Sequence, residues 1–66
     1  MKKYTCVDKH NLRVRNFASF KEEKNNQYRL VDLDKGIIFE RAYETEKKLE
    51  VLLEVHFDIK IKKDYF

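Results

Sequence analysis

The chain has 66 residues, 41% charged and 42% apolar, with a net charge of +3, one glycine, no proline and one cysteine. That length supports one domain over residues 1–66, whose single core of about 3–5 kcal/mol has to be well packed or helped by a partner. A lone cysteine excludes an internal disulfide, and one Cys with two His cannot build a four-ligand structural zinc site within one chain.

Residues 3–8 and 12–20 are rich in β-forming side chains, and Asp8, Lys9, His10 and Asn11 between them supply turn chemistry, so a first hairpin is expected. In its second strand Leu12, Val14, Ala18 and Phe20 share one face, leaving Arg13, Arg15, Phe17 and Ser19 on the other. Residues 21–26 are wholly polar and read as a loop, after which residues 27–33 return to β character. Asp34, Lys35 and Gly36 then close a second hairpin. Glycine accepts the positive φ that a three-residue loop with a bulge demands, and a strand over residues 37–43 follows.

The last third fits two periods. From Leu49 to Ile61 every odd position is apolar, as in a strand. Thr45 can equally cap a helix over about residues 46–57, with Leu49, Leu52, Leu53 and His56 on its inner face and Val51 and Val55 off it. The helix is preferred because Asp58 offers a stop and leaves a short strand over residues 59–63, whereas a single strand would be unusually long. The expected fold is therefore α+β: a four-stranded antiparallel meander, one amphipathic helix and a short C-terminal strand. An all-β, barrel-like arrangement is the alternative. Tyr4, Tyr28 and Phe39 are the expected aromatic core. Tyr43, Tyr65 and Phe66, with Val51 and Val55, are expected at the surface, where they would favour a homodimer or a protein partner.

Met1 to Thr5 are charged but precede no apolar run of seven or more, so no secretory signal is expected. The longest apolar runs are three residues, against about 20 for a membrane span, so no membrane contact is expected and the cytoplasm is the expected compartment. Lys, Asn, Ile, Phe and Tyr fill 28 positions while Gly, Ala, Arg and Pro fill 7, the bias that AT-rich codons produce. A low-GC bacterium, or a phage or mobile element within one, is the expected source.

Charge is segregated along the chain, at +5 over residues 1–31, −4 over residues 32–59 and +2 over residues 60–66. Arg13, Arg15 and Phe17, joined by Arg29 from the next strand, form a candidate nucleic-acid face, with cations for phosphate and an aromatic for stacking. The plain reading of the same pattern is a solvated, edge-protecting strand face. Glu46, Glu50, Glu54 and Asp58 recur every four residues and form a candidate acidic stripe for docking on a protein partner with a basic groove. Like charges at that spacing repel by a few tenths of a kcal/mol per pair. Either lysines and arginines from the sheet or a basic partner must offset them.

Asp32, Asp34 and Gly36 resemble the start of a calcium loop only superficially, because Lys35 precedes the glycine and Tyr43 stands where the bidentate Glu would be. Cys6 with His10 or His56 makes no defined catalytic spacing, and His56 reads as a half-buried packing residue. One serine and one glycine leave no nucleophile motif and no phosphate loop. No enzyme, cofactor or metal is expected. The leading expectation is a small binding protein that docks on a protein partner as an accessory or inhibitory factor; the alternatives are a nucleic-acid binder and a structural homo-oligomer.

Overall fold

The computed structural model describes residues 1–64, which form β1 (Lys2–Asp8), β2 (Val14–Glu22), β3 (Gln27–Asp32), β4 (Ile37–Tyr43), α1 (Glu46–His56) and β5 (Phe57–Asp64). The expectations placed on Tyr65 and Phe66 lie outside the described residues. The five strands form one antiparallel sheet in the order β4-β3-β2-β1-β5, with α1 crossing one face to carry the chain from one edge to the other. The sheet stays open, so the fold is the expected α+β arrangement and not the barrel-like one.

One turn design closes all three hairpins. Asp8, Glu22 and Asp32 each accept at their backbone oxygen from the N–H four residues on, at 2.8–2.9 Å. The donors Leu12, Asn26 and Gly36 all sit in the left-handed region, at φ of 60°, 60° and 68°. In the first and third turns the Asp carboxylate also accepts two backbone N–H groups, from His10 and Asn11 and from Asp34 and Lys35. The loop after β3 is thus four residues long and not three. Leu12 leaves β2, which begins at Val14, because its backbone turns left-handed before the strand starts.

Thr45 caps α1, its hydroxyl accepting from the Lys48 N–H at 3.1 Å. The helix ends at His56, and Phe57 is already extended, so β5 starts two residues earlier than a stop at Asp58 suggested. Leu49 and Leu53 are buried over Tyr4, Cys6 and Phe17, which form the core with them. Tyr28, Leu30, Tyr43, Phe57 and Ile59 pack around that centre. Three expectations change here. Phe39 is not core, because β4 is an edge strand and leaves it 39% exposed. Tyr43 is half-buried and not a surface residue, and His56 is exposed, on the flank of α1 that borders the groove described below.

Register sorts the side chains by face. Tyr4 opposes Phe17, Phe17 opposes Asp32, and Tyr28 opposes Tyr43, all on the helix side. Lys63, Lys3, Ala18, Val31 and Ile38 make one cross-strand row on the other side, which no element covers.

Candidate functional site

Helical geometry places Glu46 and Glu50 on one flank of α1 and Leu52 and His56 on the other. The acidic flank faces the sheet. Glu46 pairs with Lys2 at 3.0 Å, and Ser19 donates to it at 3.4 Å. Glu50, only 7% exposed, accepts from Tyr4 at 2.8 Å and from Lys62 at 3.1 Å. Burial pushes the Glu50 carboxyl up, but those two hydrogen bonds and the Lys62 and Lys2 charges outweigh it and hold it below the usual range. Burial also raises the Tyr4 phenol, and the Glu46 contact raises Lys2. The four predicted acids therefore do not form one docking stripe. Lys2 and Lys62 take up Glu46 and Glu50, Glu54 is exposed, and Asp58 lies on β5 opposite Val7 on the uncovered face. Lysines reaching from the sheet, one of the two ways to offset the repulsion, account for half the stripe.

The predicted basic set is likewise divided. Phe17 is buried and stacks edge-on against Phe57, with ring centroids 4.9 Å apart. Arg15 lies over both rings on the helix side and forms ion pairs with Asp32 and Asp34. Arg29 opposes Phe20 on the uncovered face, and Arg13 is exposed in the loop before β2. A regular strand puts alternate residues on one face, so Arg15 and Phe17 are indeed neighbours. The helix, however, covers the face they share.

Two surfaces stand out instead. The first is an apolar groove of about 500 Å³ between α1 and the β3–β4 hairpin. Leu30 and Tyr43 floor it, while Ile37, Phe39 and Leu52 line it at 49%, 39% and 37% exposure. An irregularity shapes its outer wall: Arg29 opposes Ala42 and Val31 opposes Ile38, so β4 carries two extra residues against β3. Phe39, Glu40 and Arg41 consequently all line the groove, where a regular strand would present alternate residues. The Arg29 guanidinium holds this bulge through two hydrogen bonds to the Phe39 carbonyl, at 3.0 and 2.7 Å. Sequence reasoning missed the groove because the bulge leaves no mark in the β4 pattern.

The second surface is the uncovered face. Ala18, Val31 and Ile38 run across three strands with Phe20 and Ala42 beside them, and Lys3, Lys63 and Arg29 frame the patch. The only sequence signal for it is the expected grouping of Val14, Ala18 and Phe20 on one strand face, which the register confirms.

Among the described residues, no group of three or more His, Cys, Asp or Glu side chains is placed to hold a metal. Cys6 is fully buried in the core, and burial pushes its thiol up to about 11, while His10 and His56 are exposed. Asp32 and Asp34 serve the turn, Arg15 and Asn16, as the hairpin reading of that segment expects. No family model, curated protein or solved structure matches the chain. No helix among the described residues is long and apolar enough to cross a membrane.

Proposed function

We propose that this chain is a non-enzymatic docking protein that binds a protein partner through the uncovered sheet face. The observation that carries the reading is the apolar row on that face, running from buried Ala18 through half-buried Val31 to exposed Ile38, with Lys3, Lys63 and Arg29 beside it. An apolar centre with a charged rim is the anatomy of a protein interface. Arg29 is paired with Glu22, but Lys3 and Lys63 leave one side of the rim cationic, so the part of the partner that meets them is acidic, the reverse of the basic groove that the acidic stripe called for. Combined with the AT-rich composition, the reading is of an accessory or inhibitory factor acting in the cytoplasm of a low-GC bacterium, of phage or mobile-element origin.

The test is affinity capture from such a cytoplasm with the wild-type chain and with Ile38→Asp, a substitution at an exposed edge position, with both folds checked by circular dichroism. A partner retained by the wild type and lost by the variant supports the reading. Equal retention by both, or none, overturns it.

Nucleic acid is the second reading, moved from the Arg13, Arg15 and Phe17 set to this same face, where Arg29 opposes Phe20 and Lys3 and Lys63 stand on β1 and β5. Fluorescence anisotropy of labelled single-stranded DNA, duplex DNA and RNA at low and physiological salt decides it. Steeply salt-dependent binding that Lys3→Glu with Lys63→Glu abolishes would favour nucleic acid over protein.

A further inference from the structure

Five strands about 4.8 Å apart span roughly 20–24 Å, and a helix with its side chains covers about 10–12 Å. Two helices are needed to cover such a sheet, and this chain supplies one. Leu49 and Leu53 of α1 cover the core residues of β1 and β2, while beside the helix the groove leaves Ile37 and Phe39 of β4 exposed. The same chain carries an apolar helix ridge that none of the other described elements covers. Val51 and Val55, one turn apart on the side of α1 away from its own sheet, are each more than half exposed.

We propose that a second copy of this chain fills the groove, the Val51 and Val55 ridge of each α1 packing on the β3–β4 half of the other's sheet. The product is a symmetric dimer with two helices side by side between two sheets. Rotation about an axis along the strands, midway between the helices, brings each ridge over the other groove, so one contact makes both and the assembly closes.

Charge supports a second copy as the occupant. Among the described residues Lys35, Arg41 and Glu40, which line the groove and leave it one net positive charge, have no ion-pair partner, and neither has Glu54, which stands beside the ridge. In the dimer α1 of each copy runs in the same sense as its neighbour. Glu54, near the helix C-terminus, then falls at the end of the groove where Lys35 leads into β4. The interface leaves the uncovered sheet faces outward, so this proposal is independent of the docking reading and of its test.

Sedimentation equilibrium of the full chain across the micromolar range tests the dimer. The wild type is expected at twice the chain mass. Val51→Lys with Val55→Lys, exposed positions whose change leaves the core intact, should raise the dissociation constant at least tenfold while circular dichroism stays unchanged. Ile37→Lys should do the same from the groove side. Glu54→Lys should weaken association, and adding Lys35→Glu to it should restore association. A chain that stays monomeric to several hundred micromolar overturns the proposal. So does a dimer indifferent to both the ridge and the groove substitutions, which would place self-association on the uncovered face.

Discussion

Tyr4 donates its phenolic hydrogen to Glu50 across 2.8 Å, tying the first strand to the helix over 46 positions of sequence. Lys62 reaches the other carboxylate oxygen at 3.1 Å, so a nearly buried acid has two partners of different kinds. Removing one partner of such a group costs more than the contact itself is worth, because the remaining groups stay buried without a mate. Glu50→Ala should lower stability by about 2–3 kcal/mol and Tyr4→Phe by about 1 kcal/mol, measured by urea unfolding. A double-mutant cycle of Tyr4→Phe with Glu50→Ala should show coupling, and strict additivity would mean that the bond contributes nothing.

Stability should be flat near neutrality and fall on both sides. Glu50, Asp8 and Asp34 all have carboxyl groups held below their ordinary range, Asp8 and Asp34 chiefly by backbone N–H donors. The folded state binds these protons less readily than the unfolded chain, so the stability they add is present above the unfolded values and is lost as pH falls through about 4. Cys6 acts on the alkaline side. Its thiol is raised from 9.0 to about 11, so between those values the unfolded chain ionises first and stability drops as pH rises. Two units amount to about 2–3 kcal/mol. Cys6→Ala should lower the neutral plateau and flatten the fall that begins near pH 9; an unchanged alkaline limb would clear Cys6 of that role.

Leu12 is 75% exposed and held at φ 60°. A left-handed backbone costs an L-residue roughly 1–2 kcal/mol, and this side chain recovers little by packing. Leu12→Gly should therefore raise stability by about 1 kcal/mol, with a higher midpoint of thermal unfolding. Gly36→Ala should do the opposite by a similar amount through φ alone, because a Cβ there meets no atom within 4 Å.

Arg13 and Arg15 look equivalent in sequence and should behave differently. Arg15→Ala strips a charge partner from Asp32, which is almost fully buried, and should cost about 2–3 kcal/mol. Arg13→Ala, exposed in a loop, should stay within about 0.5 kcal/mol. Equal effects in denaturant melts would mean that the Asp32 pair carries no weight.

Much of the fold is legible in the residues themselves. The turn at Gly36, the Thr45 cap, the polar loop before β3 and the helical spacing of Leu49 and Leu53 are local signals, and local signals act before any tertiary contact forms. The α+β reading follows from them, as does the placement of Val51 and Val55 off the core. The candidate sites were less legible. Strand alternation correctly pairs Arg15 with Phe17, and helical spacing correctly aligns Glu46 with Glu50, but a period says which residues share a face and not what covers that face.

That choice belongs to the tertiary structure. The crossing of α1 from β4 to β5 buries the Phe17 side of the sheet and leaves the Phe20 side bare. The same crossing brings Lys2 and Lys62 onto the acids of the helix, so a stripe suited to a partner becomes an internal seam. The bulge in β4, held by Arg29 from the neighbouring strand, opens the groove beside it. Each outcome depends on pairing between segments far apart in sequence, because burial and charge compensation are set by what lies opposite a residue and not by what lies next to it in the chain.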